Sequence, residues 1–83
     1  MKKSRTKDEF FLIKLYQLAR AEGNEEEAID CFAIGREIGQ NDKGIKVIAN
    51  QLAQANFVKK GEDNTVYLTS HGLGLVQELL SEF

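Results

Sequence analysis

Residues 32–60 read FAIGREIGQNDKGIKVIANQLAQANFVKK, and they contain two helical patterns, a stop between them and a change of period at the end. Phe32, Ala33, Ile34 and Ile38 recur at helical spacing. The run stops at Gly39, a residue suited to the left-handed conformation that closes helices. Asn41 or Asp42 then offers a cap for a second run, in which Ile45, Ile48, Ala49, Leu52 and Ala53 fall on one face. About three residues separate the two patterns, a joint short enough to hold two helices in contact at a steep angle.

Past Asn56 the period changes. Phe57-Val58-Lys59-Lys60 and Thr65-Val66-Tyr67-Leu68 are β-prone runs joined by Gly61-Glu62-Asp63-Asn64, a sequence of turn formers, so the segment reads as a hairpin. Thr69 or Ser70 then caps a last helix bearing Leu73, Val76, Leu79, Leu80 and Phe83. On the N-terminal side, Thr6 with Glu9 forms a capping box for a first helix that buries Phe11, Leu12, Leu15, Tyr16, Leu18 and Ala19 and ends at Gly23. Asn24-Glu25-Glu26-Glu27 offers an alternative helix start, but the preferred reading is a surface loop leading to a short strand around Ile29, with the helix beginning near Asp30. The expected fold class is mainly α with a small β-hairpin (α+β), in the order helix, helix, helix, hairpin, helix. Residues 1–83 form one domain in this reading, with 1–7 as a flexible basic arm.

A chain of 83 residues has room for one core, since a domain of this size buries only about 60% of the surface its unfolded chain exposes. Its 42% apolar and 29% charged residues are those of a soluble globular protein, and neither a signal core nor a membrane-length apolar run is present. The chain is read as cytoplasmic and unprocessed. One cysteine, Cys31, cannot make an intrachain disulfide, and with one histidine, His71, there is no ligand set for a structural zinc. Neither residue has a catalytic partner at suitable spacing, and there is no phosphate-cradling glycine loop, so no enzymatic activity, metal or cofactor is expected. The formal net charge of −2 is unevenly spread. Lys2, Lys3, Arg5 and Lys7 form a basic N-terminus, and Lys43, Lys46, Lys59 and Lys60 face Asp42 alone in residues 40–60. Between these lies an acidic block of Glu22, Glu25, Glu26, Glu27 and Asp30.

Taken together, the segment from Phe32 to Leu52 resembles the helix-turn-helix signature of bacterial and archaeal regulators, with Ile34-Gly35 as its apolar and small pair. Gly35 lets the two helices approach, Gly39 supplies the turn, and Ile38, Ile45 and Ile48 bury the joint. Leu52 to Lys60 is similar to the passage from recognition helix into the first wing strand of winged helix-turn-helix proteins. Val66-Tyr67-Leu68-Thr69-Ser70-His71-Gly72 is similar to their second wing strand and following helix start. The resemblance spans residues 8–82. Three positions depart from the family pattern: Gln40 replaces an apolar turn residue, and Asp42 and Gly44 stand where groups that contact bases are usual.

The resemblance implies that the third helix lies in the major groove of duplex DNA, presenting Lys43, Lys46, Val47 and Asn50. Lys46 suits guanine acceptors, Asn50 suits adenine, and Lys43 suits a phosphate. Lys59 and Lys60 on the wing, and Lys2, Lys3 and Arg5 on the arm, would meet flanking backbone. The expected function is that of a DNA-binding small transcriptional regulator or DNA-associated factor. The alternative is a protein-interaction module without DNA binding, supported by the acidic block and by a wide apolar face on the last helix. On that face Leu75, Leu79 and Phe83 are candidates for a homodimer or partner contact.

Overall fold

The computed structural model describes residues 5–81. Their elements are α1 (Lys7–Ala21), β1 (Ile29–Asp30), α2 (Cys31–Ile38), α3 (Asp42–Gln54), β2 (Val58–Lys60), β3 (Thr65–Leu68) and α4 (Ser70–Leu80). The α+β class and the element order follow the sequence reading, including the short strand expected around Ile29. β1 pairs antiparallel with β3 through Ile29↔Val66 and Asp30↔Thr65, so the hairpin becomes a three-stranded sheet of order β1-β3-β2. No helix among the described residues is long and apolar enough to cross a membrane.

Side-chain caps set the helix starts. Thr6 accepts from Glu9 N while the Glu9 carboxylate accepts from Thr6 N, at 3.1 and 2.8 Å, which satisfies two otherwise orphaned donors of α1. Asp30 accepts from Phe32 N for α2, and Asn41 accepts from Gly44 N at 2.8 Å for α3. Thr69 caps α4 and also ties it to the preceding chain: its hydroxyl accepts from Gly72 N at 3.0 Å and donates to Asn56 O at 2.6 Å. Thr69→Ala removes both bonds and should cost about 1–2 kcal/mol, measured as the shift in urea unfolding free energy.

Between α2 and α3 the chain turns through Gly39, at φ +77°, and Gln40 N donates to Gly35 O. Gly35 is buried against the next helix: a Cβ there would stand 3.0 Å from Gln40 O and 3.1 Å from Ile45 Cβ. Helix contact at that distance requires the missing side chain, as the sequence pattern implied. The core collects Phe11, Leu12 and Leu15 from α1, Ile34 from α2, Ile45 and Leu52 from α3, Val58, Val66 and Leu68 from the sheet, and Val76 from α4. Burying this apolar surface is the main stabilising term.

Two expectations for the chain ends are revised. Thr6 is the cap and Lys7 already belongs to α1, so the helix starts inside the segment assigned to the arm. Arg5 is half-buried, its guanidinium donating to Leu79 O at 3.3 Å, where a cation complements the carbonyl end of α4. Leu79, assigned to a partner face, is instead 6% exposed. α4 packs against α1, and Leu79 is covered within the chain. Leu75 is half-buried, whereas Phe83, Lys2 and Lys3 lie outside the described residues.

Candidate nucleic-acid interface

α3 buries Ile45, Ile48, Ala49 and Leu52. Its other side follows from the same period: Lys43, Lys46, Val47 and Asn50 are all exposed, and Val47 is 51% exposed although apolar. Lys46 is held in place, its ammonium 5.6 Å from the centre of the Phe32 ring on α2, a cation–π contact across the turn.

Beyond Gln54 the chain reverses at Asn56, whose φ is +66°, and β2 returns alongside α3. Lys60 at the end of β2 is thereby brought to the middle of α3, where its ammonium donates to Asn50 Oδ1. The hairpin tip closes with Asp63 and Asn64 at φ +52° and +65° and Thr65 N donating to Glu62 O at 3.0 Å, a turn of the twist that antiparallel strands require. Asn64 O accepts from Cys31 N at 3.0 Å, which anchors the tip to the start of α2.

An open groove of about 280 Å³ results between α3 and the hairpin, with Lys46, Asn50, Lys60, Asn64, Thr65 and Cys31 among its lining. Lysines and asparagines from both α3 and the hairpin, Lys46 and Asn50 from the one and Lys60 and Asn64 from the other, therefore converge on one concave surface. Because Asn50 Oδ1 accepts from Lys60, the amide has its NH2 group left to offer, and the groove presents chiefly donors. Bidentate recognition of adenine needs the amide oxygen as well, so this arrangement suits acceptor-rich edges or phosphates.

Not every residue assigned to the interface shares this surface. Lys59 pairs with Tyr67 across the hairpin, and strand alternation turns it away from Val58 and Lys60. It borders a different opening, with Glu26, Asn56, Tyr67, Thr69 and Ser70. The four lysines of residues 40–60 thus divide into Lys46 and Lys60 beside Asn50, Lys43 one turn before Lys46 on the same side of α3, and Lys59 apart. Asp42 is exposed at the first turn of α3, and Glu62 and Asp63 are exposed at the hairpin tip, so acidic side chains stand on the same two elements as the lysines. Asn64 was expected at the interface only as part of a tip, residues 61–64, beside flanking backbone, and Thr65 was not foreseen there. Their turn-forming type marks the tip, but nothing local shows that the tip docks on α2.

Cys31 forms part of the groove floor and is 3% exposed. Burial, followed by the neighbouring Asp30 carboxylate, pushes its thiol pKa up, against the opposing influence of Lys46. The protonated thiol is favoured in the folded state, so its contribution to stability is present at neutral pH and is lost as pH rises through the raised folded value. Native protein should react with an aromatic disulfide reagent on the order of tenfold more slowly than denatured protein, with release of the chromophore followed at mildly alkaline pH. Comparison of the chain with family models, with curated proteins and with solved structures returned no match to any of them.

Proposed function

We propose that the chain is a winged helix-turn-helix domain that binds duplex DNA, with α3 as the recognition helix and the β2–β3 hairpin as the wing. The observation that carries this reading is the convergence of Lys46, Asn50 and Lys60 from helix and hairpin on one groove, with Lys43 one turn before Lys46. A helix of 13 residues is about 20 Å long, and the major groove, about 12 Å wide, admits one. Seated there, α3 directs Lys46 and the Asn50 NH2 at base edges, most favourably the O6 and N7 acceptors of guanine, with Val47 against a thymine methyl. Lys43 and Lys60 neutralise phosphate on either side. The function that fits is a small transcriptional regulator or DNA-associated factor.

Net charge enters here as a limit on affinity. With acid at Asp42, Glu62 and Asp63 on the same elements as the lysines, a single domain neutralises few phosphates, so binding is modest and its salt slope shallow. Fluorescence anisotropy with a labelled mixed-sequence duplex at several salt concentrations tests the reading. The logarithm of the association constant should fall linearly with log salt, with a slope of about −2 for the two phosphate-contacting lysines, Lys43 and Lys60. Absence of binding at about 50 mM salt, where such contacts are strong, overturns it.

A further inference from the structure

The outer side of α1 carries an apolar feature used neither by the core nor by the α3 groove. Phe10 is 49% exposed, whereas its neighbour Phe11 is fully buried. It borders a depression of about 390 Å³ between α1 and the end of α2, lined by Phe10, Ile13, Lys14, Gln17, Glu37 and Ile38. Ile13 and Ile38 are half-buried, and Lys14 and Glu37 sit 3.8 Å apart as a loose ion pair at its edge.

We propose that this face seats a second copy of the same chain, in a two-fold dimer in which each Phe10 ring enters the depression of its partner. The occupant follows from the shape and charge of the face. It carries a projecting aromatic ring beside a hollow, and a cation beside an anion, so under a two-fold rotation each feature meets its complement. A partner of one charge sign would be repelled by either Lys14 or Glu37, whereas a second copy pairs each Lys14 with Glu37 of the partner subunit. Both side chains are accessible enough to exchange partners, at 29% and 53% exposed. The proposal stands apart from the DNA reading, since no residue of the α3 groove takes part.

Sedimentation velocity from about 10 μM to about 1 mM, the range in which a small interface associates, tests it. The mass should rise from 9.3 kDa toward twice that value. Phe10→Asp should raise the dissociation constant about tenfold or more, as expected for loss of a central aromatic anchor. Its circular dichroism should be unchanged, because Phe10 is half-exposed and a carboxylate suits the first turns of a helix. Lys14→Glu and Glu37→Lys should each abolish self-association, and an equimolar mixture of the two variants should restore a dimer of one of each. A monomer throughout the range overturns the proposal. So does a dimer that survives Phe10→Asp, or one that is lost on Leu75→Asp and insensitive to the Lys14 and Glu37 exchanges.

Discussion

Gly72→Ala should destabilise the protein by roughly 3 kcal/mol or more, the largest loss expected from adding a single methyl group anywhere in the chain. Gly72 is buried in the first turn of α4, where it faces the backbone that leads into β2. A Cβ there would lie 1.9 Å from Phe57 O and 2.9 Å from Phe57 C. Those atoms cannot rotate aside as the end of a side chain does. Phe57 O is also in use, accepting from Thr69 N at 3.1 Å, and the Phe57 ring stacks on His71 at 4.6 Å. Relief therefore means moving α4 away from the strand, which opens the contacts of Val76 and Leu68. A domain of this size has only about 5–10 kcal/mol of stability, so the change should be plain in urea unfolding as a lower midpoint with a similar slope. Gly44→Ala offers the contrast. Its Cβ would approach the Gln40 Oε1 and Asn41 Oδ1 atoms at 3.0 and 3.1 Å, both on side chains, and the gain in helix propensity of about 1 kcal/mol offsets part of the crowding.

Removing two charges from the groove should have the largest effect on binding. For Lys46→Ala combined with Lys60→Ala, affinity for duplex DNA should fall on the order of 100-fold at about 50 mM salt, and the salt slope should become shallower by about 1 through loss of the Lys60 phosphate contact. Both side chains are exposed and neither is part of the core, so folding is preserved. The cation–π contact of Lys46 with Phe32 contributes about 0.5–1 kcal/mol at an exposed site, which bounds the stability cost on that side of the groove. Lys59→Ala is the internal comparison. Because Lys59 lies on the opposite side of the hairpin, its loss should leave the affinity within about threefold and the slope shallower by less than about 1.

Helix boundaries were readable in the sequence because each start is marked by a side chain acting on its own backbone. Thr6 with Glu9, Asp30, Asn41 and Thr69 all cap within three residues, an interaction that needs no knowledge of the fold. Gly35 and Gly39 were readable for a similar reason, since a close approach and a left-handed turn both select glycine. Features that depend on distant partners were less accessible. A short strand was expected around Ile29, but β1 is two residues long and its partner was not readable, since it pairs with β3 more than 30 residues later. The apolar face of α4 was visible, but an amphipathic pattern does not say what covers it. Leu79 is covered by this chain's own packing, and the large apolar side chains that are exposed among the described residues are Phe10 and Val47.

The groove divides in the same way. Lys43, Lys46, Val47 and Asn50 share a side of α3 by helical period alone, and they are exposed together as expected. The meeting of Lys60 with Asn50 depends on the reversal at Asn56, and the separation of Lys59 depends on strand alternation at a known register. Strand alternation alone would have divided the two neighbouring lysines, had it been applied to residues 58–60.

Amide chemical-shift mapping on 15N-labelled protein, with an unlabelled duplex added at low salt, tests the proposed interface most directly. The largest shifts should fall on Lys43 to Asn50 and on Lys60 to Thr65, with little change around Phe10, Ile13 and Ile38. Shifts concentrated on the α1 and α2 depression, or no shifts at duplex concentrations that saturate the anisotropy signal, would contradict it.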